Sequence, residues 1–359
     1  MVLGSKAANL TYPKSIYLST SPFGFFYIEG SLAFPFSRWT EWDDQWMAGL
    51  FGLSWEKKEK PPGLNGEEAW MEYIDRVEGY LKKEIAVQTF WNWTPKSEEE
   101  HQDKIVTPAG DRAFWWEGMT PKTRPDTHSF VIVGLDRTND LVRVNMPIAG
   151  WFGVEKYRVM KLSYLKKRIA PLRGDLKYKT IAYVPTGIPA KNESEIKQLV
   201  AERIFKKIQG DPAAFGNERN QRYLYGSKAL EALKGDLNVS TFSQILDTRS
   251  RRQGFTPLEI LVVMKLGFYQ MQFITAQAAE YLEEQRMMPE WEWLSRLHLL
   301  YYELYISSLK LVDQTRTTAD KAKYLEGIKP VLQEMQSTLD ATVAHMKKYP
   351  TPQFLSQGK

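Results

Sequence analysis

Cysteine is missing altogether: none occurs among the 359 residues. That excludes disulfides, thiolate metal sites and a cysteine nucleophile. Long hydrophobic runs are missing too. The longest apolar stretch, around Ile260–Phe273, is broken by Lys265, Gln270 and Gln272, so no membrane span is expected. Met1–Leu10 lacks the apolar centre of a secretory signal, and the expected location is cytoplasmic. Histidine is scarce, at four residues. His298 and His345 fall in helical stretches with no His-x-x-x-His or Glu-x-x-His partner, so no metal is expected. No phosphate-binding glycine loop, dinucleotide fingerprint or zincin motif occurs, and no cofactor is expected. The net charge of +5 is mild for this length. The basic clusters Lys166–Arg168 and Arg249–Arg252 are short and read as solvated surface, so no nucleic-acid partner is expected.

What is there is an uneven chain. Its length suggests two domains, and a hydrophobic fraction of 43% lets each bury a core. Ten of the 12 Trp fall at or before Trp151, while long helical periods fill the second half. Pro, Thr, Gly, Ile and Pro follow one another in Pro185–Ala190, which places a boundary there. The expected domains are 1–187 and 188–359, and the expected fold class is α+β, with an antiparallel-sheet domain followed by an α-helical one.

The first half is organised around Asp126–Pro147. Ser129–Leu135 is a short apolar, β-branched run, Asp136–Asp140 is a turn-rich break, and Leu141–Val144 is a second such run. This is a β-hairpin. His128 stands at the start of the first strand and Asn145 at the end of the second. A His beside an amide or acid at neighbouring strand ends can work as a general base. The plainer reading is a core hairpin with one polar residue at its mouth. Upstream, Trp39–Leu50 reads as a helix, as does Asn65–Lys83 with its stripe Ala69, Trp70, Tyr73, Ile74, Val77 and Leu81, and Ile85–Trp91 reads as a strand. The long loop Thr94–Arg124 carries Trp115 and Trp116; loops of that length are often functional. Downstream, Tyr157–Leu162 reads as a strand, with Ser163 as cap of a short helix Tyr164–Arg168.

The wording His-x-Phe-Val-Ile-Val-Gly-Leu-Asp resembles the second half of the papain-like fold, in the version of bacteriocin-processing peptidases and butirosin-biosynthesis-H-like proteins. Ser-Pro-Phe-Gly-Phe-Phe-Tyr-Ile at 21–28 and Phe-Gly-Leu-Ser-Trp at 51–55 resemble that family's glycine- and aromatic-rich segment and the turn after its next helix. Tyr225–Asp236 is similar to the glycine-led segment of its attached helical domain. The resemblance covers roughly 12–169, and the order of the motifs carries it more than any one of them. It implies a papain-like sheet domain with His128 as the base, oriented by a carboxylate just before a Pro. Here Met146 precedes Pro147, and strand alternation turns Asn145, one residue earlier, to the other face. It also implies a Cys opening a helix upstream of 21–28; only Met1–Pro13 lies there, too short for that strand and helix.

Three readings follow. The first is a non-catalytic relative of papain-like acyltransferases and amide hydrolases, a binding or assembly subunit. The second is an active acyltransferase or amide hydrolase using His128, with Asn145, and an unrecognised nucleophile. The third is a small-molecule binder with an aromatic pocket, to which Trp91, Trp115 and Trp116 contribute. Without the nucleophile helix, apolar surface is left to cover, so a protein partner or self-association through 1–187 is expected, unless the Trp residues close the gap from within. In the second half, Glu193–Lys207, a helix capped by Thr256 at Pro257, Trp291–Val312 and Ala319–Lys347 read as helices, Pro330 splitting or kinking the last. The cluster Tyr301, Tyr302, Tyr305, Met287, Met288 and Trp291 reads as bundle core rather than a cofactor box.

Overall fold

The computed structural model describes residues 14, 17–30, 32, 41–93, 126–145, 157–172, 174–216, 223–238, 240–245, 248, 257–285, 288–313 and 318–348. In chain order its elements are β1 (Phe26–Tyr27), α1 (Glu41–Leu50), β2 (Leu53–Lys58), α2 (Gly66–Leu81), β3 (Val87–Trp93), β4 (Asp126–Asp136), β5 (Leu141–Asn145) and β6 (Tyr157–Lys161). There follow α3 (Leu162–Ile169), β7 (Thr180–Pro185), α4 (Glu193–Gln209), β8 (Leu224–Tyr225), α5 (Ser227–Asp236), α6 (Pro257–Glu284), α7 (Met288–Asp313) and α8 (Thr318–Lys348). Helix and sheet are mixed, as an α+β class requires. Among the described residues no helix is long and apolar enough to cross a membrane.

Two compact units result, one over 51–190 and one over 11–50 with 191–359. The division after Ala190 falls just beyond the expected boundary. Thr11–Leu50, grouped by the sequence reading with the first half, belongs to the second unit.

The first unit is a six-stranded sheet in the order β2-β7-β3-β4-β5-β6, with every neighbouring pair antiparallel. Helix α2 lies on it because its apolar residues recur at helical spacing: Ala69, Trp70, Tyr73, Ile74, Val77 and Tyr80 are all buried. They share a core with Val87 and Trp91 of β3, Phe130 and Ile132 of β4, and Val142 and Val144 of β5. On β5 the exposed Arg143 separates Val142 and Val144, the period of a strand with one face in the core. Each large side chain so buried contributes roughly 1.5–3 kcal/mol. The hairpin forms as its sequence predicts, with an irregularity in register between Ile132 and Gly134.

The turn of that hairpin does more than reverse the chain. Asp140, at φ 54°, turns its carboxylate onto the start of α3, where Ser163 donates from its backbone N at 2.9 Å and from Oγ at 2.8 Å. The expected cap, Ser163, is therefore inside the helix, and the capping oxygen comes from 23 residues earlier.

In the second unit, α4 opens with a capping box: the Asn192 side chain accepts from the Glu195 N–H at 3.0 Å and the Glu195 carboxylate accepts from the Asn192 N–H at 2.8 Å. Gly210 ends it at φ 77°, where a Cβ would lie 2.7 Å from the Tyr225 carbonyl oxygen, so only glycine fits. Strand β1 pairs with β8, and Asp236 of α5 accepts from the Tyr27 hydroxyl at 2.5 Å and the Gly30 N–H at 2.6 Å. Helix α6 packs on α7, and α7 on α8, around Met264, Phe268, Leu297, Leu304, Leu332 and Met335. Helix α8 runs through Pro330 without ending. The expected cap at Thr256 lies outside the described residues.

Candidate functional site

The sequence places its candidate chemistry at the mouth of the β4–β5 hairpin. In the sheet, β3 and β4 pair so that Trp91 stands opposite His128, with Asn92 opposite Thr127. On the other side of β4, Asn145 stands opposite Val131. The fold thus brings Trp91 and His128 together as cross-strand neighbours. It does not bring Asn145 to the same place. Position 128 alternates with Phe130 and Ile132, whereas Asn145 shares its rung with Val131, so positions 128 and 145 belong to different faces of the sheet.

Trp91 is only 2% exposed and packs against Phe130, ring centroids 4.8 Å apart. It is core, and its Nε1 finds no hydrogen-bond partner among the described residues. Behind it lies a short buried polar chain. The Tyr73 hydroxyl donates to Thr89 Oγ1 at 3.0 Å, and that oxygen donates on to the Lys179 carbonyl at 2.9 Å. Burial holds the Tyr73 phenol far above its ordinary range. The side chain of His128, together with Trp115, Trp116, Met146 and Pro147, lies outside the described residues. So do Met287 and the side chain of Met288.

The second-half expectations resolve more simply. Tyr301 is fully buried while Tyr302 is 48% exposed, so the tyrosine cluster does not form one wall. The His298 ring hydrogen-bonds through Nδ1 to the Gln272 carbonyl at 2.9 Å, and His345 meets the Trp293 ring edge-on. Among the described residues no group of His, Cys, Asp and Glu could hold a metal ion.

The second unit contains a charged cluster that the sequence reading missed. Helix α4 carries Arg203 and Lys207 one turn apart beside the buried Val200, Ile204 and Ile208. Both cations are buried, and both donate to the same oxygen, Asp43 Oδ1 of α1, at 2.8 Å each. Arg203 also donates to the Ala214 carbonyl, from Nε at 3.3 Å and from Nη2 at 3.1 Å. Its guanidinium lies 4.3 Å from the centre of the Trp46 ring, and the Lys207 ammonium 5.5 Å from that of Phe215. Burial pushes the Lys207 ammonium down to about 8; Asp43 opposes this and the Arg203 charge adds to it. Burial likewise lowers Arg203. The legible signal was two cations at i and i+4 on an otherwise apolar stripe. Beside the cluster opens a cleft of about 470 Å³, lined by Gln45, Trp46, Arg203, Lys206 and Ala214 among others.

Compared with known proteins, the chain matches no family model and no curated protein sequence.

Proposed function

We propose that the chain is a non-catalytic relative of the papain-like acyltransferases and amide hydrolases of the butirosin-H type, acting in the cytoplasm as a binding or assembly subunit. The observation that carries this reading is a hairpin of the family's wording, His128 included, in a sequence without a single cysteine. The sheet is compatible with it: β3 pairs with β4, β4 with β5, and α2 lies against them, the order the resemblance implies. The family's acyl chemistry needs a thiolate, and a serine does not replace one without a competent, oriented base. The orienting residue is also missing, since Met146 holds its place and Asn145 belongs to the other face of the sheet.

The test is turnover. The protein is mixed with a short-chain acyl thioester and a primary amine, and released thiol is followed. The expected rate equals that of buffer, for the wild type and for His128→Ala alike. A wild-type rate that falls about a hundredfold or more in His128→Ala would instead establish general-base catalysis at His128.

A further inference from the structure

The cleft beside Asp43, Arg203 and Lys207 has a charge left over. The three side chains carry two positive charges and one negative, all removed from water: the Arg203 side chain is 8% exposed, that of Lys207 1% and that of Asp43 2%. A buried cation ordinarily has a full set of acceptors, because an unpaired N–H in a low-dielectric site is costly. Arg203 falls short of this. Its Nε and Nη2 are occupied by Ala214 and Asp43, while Nη1 has no partner among the described residues and is itself buried, so its charge lies beneath the cleft without a counter-charge of its own there. Arg203 lines the cleft, and so does Lys206, an exposed cation on the next turn of surface. The acid on the lining, Glu202, is engaged by the Gln198 amide at 3.1 Å. The remaining walls are largely apolar: the Trp46 ring, Leu199, Ala213 and Ala214.

We propose that this cleft binds a small monoanion with an apolar body, its anionic group received by Lys206 over the buried charge of Arg203 and its body laid against Trp46. The size fits, since small-molecule pockets begin at about 300 Å³ and combine apolar walls with few polar anchors. The charge fits, since one negative charge balances the excess of the trio. The chemistry fits as well, since a guanidinium fixed by an aromatic face and a carboxylate is already oriented when the ligand arrives. The pressure on the Lys207 ammonium points the same way, because an added anion relieves what burial and Arg203 impose on it. The proposal does not rest on the papain-like reading, because the resemblance assigns no role to any residue that lines this cleft.

The experiment is calorimetric titration of the full chain at neutral pH with benzoate, benzenesulfonate and neutral benzamide. Benzoate or benzenesulfonate is expected to saturate one site, and the tighter of the two names the anionic group as carboxylate or sulfonate. Benzamide is expected not to bind. Lys206→Glu, at an exposed position that leaves the fold intact by melting temperature, is expected to weaken the anion about tenfold through reversal of a nearby charge. Arg203→Lys keeps a positive charge beneath the cleft, and is expected to change the affinity less than Lys206→Glu does. Absence of saturable binding by either anion overturns the proposal. So does benzamide binding as well as benzoate, or anion binding unchanged in both variants.

Discussion

A single oxygen, Asp43 Oδ1, accepts from both Arg203 and Lys207 at 2.8 Å. Removing it is a larger insult than removing either donor, because two buried cations then face each other without a counter-charge. Deleting one partner of a buried ion pair typically costs about 3–5 kcal/mol. Asp43→Ala is expected to fall in that range by urea unfolding. Lys207→Met removes the surplus cation and keeps the volume, and is expected to cost far less. A larger loss for Lys207→Met than for Asp43→Ala would contradict the charge balance described for the trio. Half of this arrangement was legible: two cations one turn apart on the apolar side of α4 call for a buried acid. The acid itself was not, because Asp43 lies 160 residues from Arg203 and nothing local marks it. Ser163 shows the same limit. A serine before an apolar helix reads as its cap, yet Asp140, held at φ 54° in a turn 23 residues away, takes the role.

At the scale of elements, periodicity did most of the work. The stripe of α2, the alternation of β5 and the apolar run of β4 each announce their own structure, and the hairpin follows from the turn between its strands. Boundaries moved by one to three residues, as at β3, which begins at Val87 rather than Ile85, and at β4, which begins at Asp126 rather than Ser129. What periodicity could not supply was pairing across distance. Strand β7 lies between β2 and β3, and the two-residue strand β1 pairs with β8. Such registers are fixed by which apolar faces meet, a property of the folded pair. Phe26–Tyr27 joins the second unit for this reason, tied further by the Tyr27 hydroxyl on Asp236. Pro330 is the converse case. A proline inside a helix forfeits a hydrogen bond at a cost of about 3 kcal/mol, enough to predict a break. Helix α8 continues because Ile328, Val331, Leu332 and Met335 around it are buried, and their burial offsets the loss.

For the whole molecule, the division into a sheet unit and a helical unit was visible in composition, through the Trp-rich first half and the helical second. The assignment of 11–50 was not, since it depends on the contacts just described. The reading as an assembly subunit belongs to this scale. Aromatic residues anchor interfaces, and ten of the 12 Trp lie at or before Trp151. Light scattering at micromolar concentration is expected to give a mass above that of the 41.6 kDa chain; a lone particle of chain mass would remove self-association from the account.

As a non-catalytic relative, the chain is expected to have no nucleophile that takes an acyl group with His128 as its base. The direct measurement is intact mass spectrometry after incubation with excess acyl thioester and an acid quench. The expected product is an unmodified 41.6 kDa chain, like that of His128→Ala treated in the same way. A single acyl increment on the wild type, absent from His128→Ala, would contradict it.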